Sequence, residues 1–202
     1  RLIALLDIEG KGYASNLLAD LESWVVENNI LPFNQSGFRL FAATLDNIIA
    51  LSYLCHRAGL PQKRPLYCCF IDYSAAFDLV ERAVLWNKLL SWGIPYKLFN
   101  AILSLYSDTW VRVKLDKIHT TPQISTLRGL KQGCVLAPLL FNLYTADMGS
   151  ALKDSGLLIP RYGSIKLQLM QYADDVVILD HTKIGLQRAL TALHQYNIRN
   201  HL

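Results

Sequence analysis

Tyr172-Ala173-Asp174-Asp175 is the segment best suited to chemistry, because it sets two acids side by side between two strand-like runs. Upstream, Ile165, Leu167 and Leu169 alternate with Lys166 and Gln168, the period-two pattern of a half-buried strand. Downstream, Val176-Val177-Ile178-Leu179 is short, apolar and β-branched, which predicts a buried strand. The pair would then occupy the tip of a tight hairpin. Adjacent carboxylates repel each other, and a divalent cation offsets that cost most directly. Taken alone, the dipeptide reads more simply as an ordinary turn, since Asp satisfies local backbone groups.

A third acid changes the weighing. Pro65-Leu66-Tyr67-Cys68-Cys69-Phe70-Ile71 is another short apolar strand candidate, and it delivers Asp72 at its end. Acids at the ends of adjacent strands of one sheet can converge, as a two-metal phosphoryl-transfer site requires, with cations roughly 3.5–4 Å apart. Phe77 follows where strand gives way to helix, a place for an aromatic to pack beneath a nucleotide sugar or to serve as plain core. Gly129-Leu130-Lys131-Gln132-Gly133 sets an amide and an ammonium between glycines that let backbone approach a ligand closely. In isolation it is an ordinary helix-leading loop.

The elements that would position these residues follow an α+β order. A helix is predicted from Tyr13 to Glu27, after Gly10 and Gly12, and a second from Leu40 to Ala58, stopped by Gly59 and Pro61. Asp78 with Glu81 makes a capping-box-like start for a helix through Trp86, Leu89 and Leu90. Another helix is expected over Tyr96 to Tyr106. Val111 to Leu115 alternates and pairs plausibly with Ile124 to Leu127. Pro138 marks a helix start leading to Met148, and a last helix covers Lys183 to Ile198.

Composition fits a globular chain of 202 residues, with 52% hydrophobic and 18% charged residues. No apolar run approaches the roughly 20 residues of a membrane span, so no membrane partner is expected. Between Trp110 and Val135 five basic residues face one acid, which holds the whole +4 excess and suits a polyanion or a solvated hairpin equally. Cys55, Cys68, Cys69 and Cys134 lack C-x-x-C spacing and read as reduced core cysteines of an intracellular protein. The chain opens on Arg1 rather than Met, so we expect a piece of something longer.

Together the motifs resemble the reverse transcriptase domain of non-LTR (LINE-type) retrotransposons. Phe70-Ile71-Asp72-Tyr73-Ser74-Ala75-Ala76-Phe77-Asp78 is similar to the family's first catalytic motif. The run from Arg128 through Gly133 and Pro138 to Asn142 is similar to its nucleotide- and template-handling motif, and Tyr172 to Asp175 to its catalytic hairpin. Arg1 to Leu6 and Gln35-Ser36-Gly37-Phe38-Arg39 match upstream blocks, so the likeness spans nearly the whole chain in order.

The resemblance implies a right-hand polymerase with fingers at 1–65, a palm at 66–202 built of antiparallel sheet and packed helices, part of 108–135 returning to the fingers, and no thumb. It implies Asp72, Asp174 and Asp175 as metal carboxylates, helped by the carbonyl of Tyr73, around two Mg²⁺ ions for which Mn²⁺ can substitute. Arg1, Phe77, Lys131, Gln132 and Gly133 would bind nucleotide, with Phe77 as sugar gate. Gln35, Gly37, Arg39, Arg128 and Tyr172 would contact nucleic acid. The implied partners are an RNA template, a DNA primer and deoxynucleoside triphosphates, with action in the nucleus and no implied oligomeric state. Alternatives are a catalytically inactive transposon-derived remnant that binds nucleic acid or a partner, a group II intron maturase, and an unrelated metal phosphohydrolase.

Overall fold

The computed structural model describes residues 8–39, 42–112 and 121–202. Arg1, the apolar stretch around it and most of the strand expected over 111–115 lie outside the described residues. Helix α1 (Ile8–Glu27) buries Ala14, Leu17, Leu21 and Trp24, a stripe at spacings of three and four. It starts before Gly10 and Gly12 rather than after them. An exposed glycine costs a helix about 1 kcal/mol, and the stripe outweighs it. The helix stops where the sequence says: Asn29 takes φ 50, and the N–H groups of Asn29 and Ile30 return to the carbonyls of Val26 and Val25. That is a Schellman ending with asparagine in place of glycine.

Helix α2 (Thr44–Ala58) begins later than expected, with the Asp46 carboxylate accepting from the Ala43 N–H at 2.8 Å. Strand β1 (Tyr67–Ile71) follows the connector. The single helix expected from Asp78 is instead two, α3 (Ala76–Leu79) and α4 (Arg82–Ser91). The chain turns at buried Val80, whose carbonyl accepts from Gly129 N at 2.8 Å, and Asp78 caps nothing because its carboxylate takes Gln132. Helix α5 (Tyr96–Ser107) leads to β2 (Trp110–Val111), which pairs antiparallel with β3 (Ile124–Ser125), as expected.

Helix α6 (Ala137–Thr145) carries proline in its first turn and is buried almost all round. It ends short of Met148, where α7 (Met148–Leu152) starts anew. The alternating run from Ile165 is not one strand. Hairpin β4 (Arg161–Tyr162) with β5 (Ile165–Lys166) uses its first part, and β6 (Leu169–Tyr172) its last. Pairing partner changes at Leu167-Gln168, both buried. Strand β7 (Asp175–Asp180) and helix α8 (Lys183–Asn200) complete the chain, with the Thr182 hydroxyl capping α8 at Gly185 N.

The main sheet runs β1-β7-β6, antiparallel throughout, with β7 central. Alternation decides its two faces. Val176 and Ile178 pack with Met148, Leu152, Ala189 and Leu193 beneath α7 and α8, while Leu179 and Met170 pack with Ala50 and Leu54 of α2. A separate larger core joins α1, α4, α5 and α6. The architecture is mixed helix and antiparallel sheet. Among the described residues no helix is long and apolar enough to cross a membrane. The cysteines are free, but only Cys134 is buried and Cys55 is exposed, so the core reading holds for one of them.

Candidate active site

Strand register brings the three acids to one end of the sheet. Ile71 faces Val176 across β1 and β7, so the next residue, Asp72, comes level with Asp175. Tyr172 pairs with Asp175 across β6 and β7, leaving Ala173 and Asp174 as a two-residue turn. Among the described residues none of the three carboxylates has a hydrogen bond or ion pair. Nor do three His, Cys, Asp or Glu side chains stand close enough to form a ready metal cage. The donor set is all carboxylate, which suits a hard divalent cation. Magnesium binds through one or two carboxylates with waters and substrate phosphates rather than in an all-protein cage.

A cavity of about 300 Å³ opens beside this end, lined by Ala75, Phe77, Gln132, Gly133, Pro138 and Asp174 among others. Residues separate in sequence thus share one wall. Phe77 stacks on Phe141 with ring centroids 4.7 Å apart, so core and cavity wall are one side chain here. The loop holding Gln132 is zipped to α3 and its exit: Leu130 N donates to Phe77 O and Gly129 N to Val80 O, both at 2.8 Å. Gly129 has φ +83, and a Cβ there would sit 2.8 Å from Asp78 O, so glycine is required twice over. Gln132 Nε2 donates to Asp78 Oδ1 at 2.9 Å, aligning the amide beside the cavity.

Lys131 points away from this space. Its Nζ donates to Leu105 O at 2.7 Å, lies 5.6 Å from the centre of the Tyr106 ring, and is held below the usual lysine range by burial. Arg128 is exposed but spends its guanidinium on the carbonyls of Leu79 and His201. Arg39 donates to Pro32 O at 2.7 Å. Tyr73 sends its hydroxyl to Asn197 on α8, and burial raises its pKa. Tyr172 lies 6.5 Å from the Phe38 ring at the turn's flank.

Gln35 and Gly37 are placed differently from a surface contact. Gln35 is 1% exposed, and its Oε1 accepts from Gly37 N and Ala173 N at 2.9 and 3.1 Å while its Nε2 donates to Ala173 O at 3.4 Å. A Cβ on Gly37 would fall 2.2 Å from Ala173 N. Ser36 N donates to Gln171 O and Gln171 N to Asn34 O, so this segment covers the β6 edge like a fourth strand. These residues clamp the acid-bearing turn.

A family model described as reverse transcriptase (RNA-dependent DNA polymerase) matches residues 1–202. The chain belongs to the reverse transcriptase family. Its relatives fit the expected retrotransposon branch. It is 29% identical over 175 residues to the retrovirus-related Pol polyprotein from type-1 retrotransposable element R2 of Nasonia vitripennis, covering 86% of this chain and 16% of that protein. It is 30% identical over 166 residues to the RNA-directed DNA polymerase from mobile element jockey of Drosophila funebris, covering 82% and 17%. The chain therefore spans under a fifth of the length of these relatives. A solved telomerase of Candida tropicalis, in complex with a TWJ fragment of telomeric RNA, superposes with TM-score 0.61 at 12% identity over 92% of this chain and 31% of that one. That likeness speaks for the fold.

Sequence reasoning passed over several residues that hold this candidate site together. Asn142 donates to Gly37 O at 2.7 Å and Asn47 to Gln171 O at 3.2 Å. Arg82 is buried and donates to the carbonyls of Gly129, Thr126, Tyr106 and Arg128 and to the Thr109 hydroxyl. Polar residues inside predicted helices were the available signal for Asn142 and Asn47. For Arg82 there was none, because its partners come from three other segments.

Proposed function

We propose that the chain adds deoxynucleotides to a DNA primer on an RNA template, with Asp72, Asp174 and Asp175 as the charge that holds divalent cations. The observation that carries this reading is the register that levels Asp72 with Asp175 next to a cavity bordered by Asp174, Phe77 and Gln132. Two Mg²⁺ or Mn²⁺ ions bound there would supply Lewis acidity to the attacking hydroxyl and the departing pyrophosphate. The chain's own part is positioning. Three carboxylates free of protein partners keep their negative charge available. Phe77, backed by Phe141, forms a wall against which the sugar of an incoming nucleotide would pack, the place from which a side chain would act as sugar gate against a 2′-hydroxyl. Gln132, aligned by Asp78, and the backbone at Gly133 border the same space for the incoming nucleotide.

On this reading residues 1–65 are fingers and 66–202 palm, with part of 108–135 returning to the fingers, and the chain acts in the nucleus. Lys131, turned onto Tyr106, contributes through the loop it secures. Gln35 and Gly37 contribute by fixing the turn. Primer extension on an RNA template with Mg²⁺ or Mn²⁺ tests the proposal. Asp174→Ala is expected to lower extension by about a hundredfold or more, the scale of removing one group that stabilises developing charge. Extension that survives loss of Asp174 would sink the assignment.

A further inference from the structure

Arg82, Arg128 and Lys131 are engaged with backbone carbonyls. At the other end of the main sheet, where Tyr67 pairs with Asp180, a second pocket of about 440 Å³ is lined by Arg57, Lys63, Arg64, Arg161 and His181, with no Asp or Glu in its wall. Strands rise about 3.3 Å per residue, so this pocket lies roughly 15 Å or more along β1 from Asp72.

Four segments meet there: the end of α2, the connector 59–65, the stretch 159–163 that enters the β4–β5 hairpin, and His181 after β7. Lys63 and Arg64 are exposed, and their side chains have no hydrogen-bond or ion-pair partner among the described residues. The acid at this end, Asp180, cannot neutralise them. It is fully buried and accepts from Leu157 N, Leu158 N, Thr182 N and the Thr182 hydroxyl. Aromatic faces flank the cations. Tyr53 and Tyr162 are each 38% exposed and meet edge to face at 5.2 Å, with Arg57 5.7 Å from the Tyr53 ring centre.

We propose that this pocket is a second nucleic-acid site, one that grips the phosphate backbone of single-stranded RNA away from the polymerising cavity. The free side chains of Lys63 and Arg64 supply backbone affinity, and Arg57 and Arg161 add charge while bonded to Tyr53 and Ser164 O. The exposed tyrosines beside Arg57 offer stacking for unpaired bases. A concave basic wall with its neighbouring acid already satisfied focuses potential on a polyanion rather than on a neutral ligand. The site stands apart from the proposed catalysis, which Asp174→Ala scores separately.

The test is fluorescence anisotropy of labelled single-stranded RNA across a salt series. Lys63→Gln with Arg64→Gln is compared with Lys97→Gln and Arg188→Gln, which remove the same charge from exposed positions on α5 and α8. The pocket variant is expected to bind about tenfold more weakly, and its plot of log K against log salt to flatten by about 1.4, at about 0.7 per lost phosphate contact. Both changes lie in an exposed connector, and a matching melting temperature confirms the fold. Photocrosslinking of thiouridine-bearing RNA to the unmodified chain should label Tyr53 or Tyr162. Equal affinity and slope in the two variants, or crosslinks confined to the Phe77–Asp174 cavity, would overturn the proposal. So would complete displacement of RNA by inorganic phosphate at low concentration, which marks a lone-anion pocket.

Discussion

At the scale of single residues, the turn that carries Asp174 is held by groups with no chemistry of their own. Ala173 has φ 56, as Ala75 does beside Asp72, and alanine avoids this left-handed region by roughly 1–2 kcal/mol. Such strain persists only where surroundings impose it, and here Gln35 grips both the N–H and the carbonyl of Ala173. Gly37→Ala pushes a methyl group into that same peptide and is expected to cost about 2–3 kcal/mol, read as a lower melting temperature together with lost extension. Gln35→Glu keeps the acceptor for two N–H groups but loses the donor to Ala173 O, so it should be milder than Gln35→Leu, which strips both buried N–H groups of their partner. Equal stability of all three variants would show that the clamp is incidental.

Between elements, one guanidinium does what a longer sheet would otherwise do. Beside the β2–β3 pairing, Arg82 on α4 ties the 126–130 segment to the end of α5 by donating to the carbonyls of Thr126, Gly129 and Tyr106 and to the Thr109 hydroxyl. Burial lowers the Arg82 pKa, with Tyr106 and Glu81 opposing that shift, yet arginine remains charged. Arg82→Met is expected to destabilise by about 2–4 kcal/mol, because several buried carbonyls lose a charge-assisted donor. Arg82→Lys should recover little, since an ammonium cannot span the same fork. Denaturant unfolding of both variants checks this, and hydrogen exchange should localise the loosening to the loop bearing Gln132.

For the whole molecule, buried phenols set the alkaline limit. Tyr196 and Tyr106 are pushed far above their ordinary 10.0 chiefly by burial, and Tyr144 and Tyr73 move the same way. In the unfolded chain these groups ionise near pH 10 while the folded chain keeps their protons. Their stabilising contribution is therefore complete below about pH 10 and falls as pH rises beyond it. Lys88 and Lys131 act in the opposite sense. Burial lowers the pKa of each, at Lys88 against the pull of Asp147, so between their folded values and the ordinary 10.5 their deficit shrinks as pH rises. Four phenols outnumber these two lysines, so melting temperature should drop steeply above pH 10. Tyr196→Phe should flatten that drop while losing the 2.6 Å bond to Asp147.

Local pattern was enough for the strands expected over 65–71 and 176–179, found at Tyr67–Ile71 and Asp175–Asp180, the turn between Tyr172 and Asp175, the end of α1 and the proline start of α6. Each depends on alternation, capping or turn chemistry within a few residues, which a sequence carries directly. The break at Val80, the splitting of the run from Ile165 and the burial of Gln35 did not show. In two of these the deciding partner is distant, Gly129 for Val80 and Ala173 for Gln35, while Ile165 turns back on nearby Tyr162 and leaves Leu169 to pair with β7. Side-chain type announces a hydrogen-bonding capacity, but only the packed chain selects which backbone group consumes it.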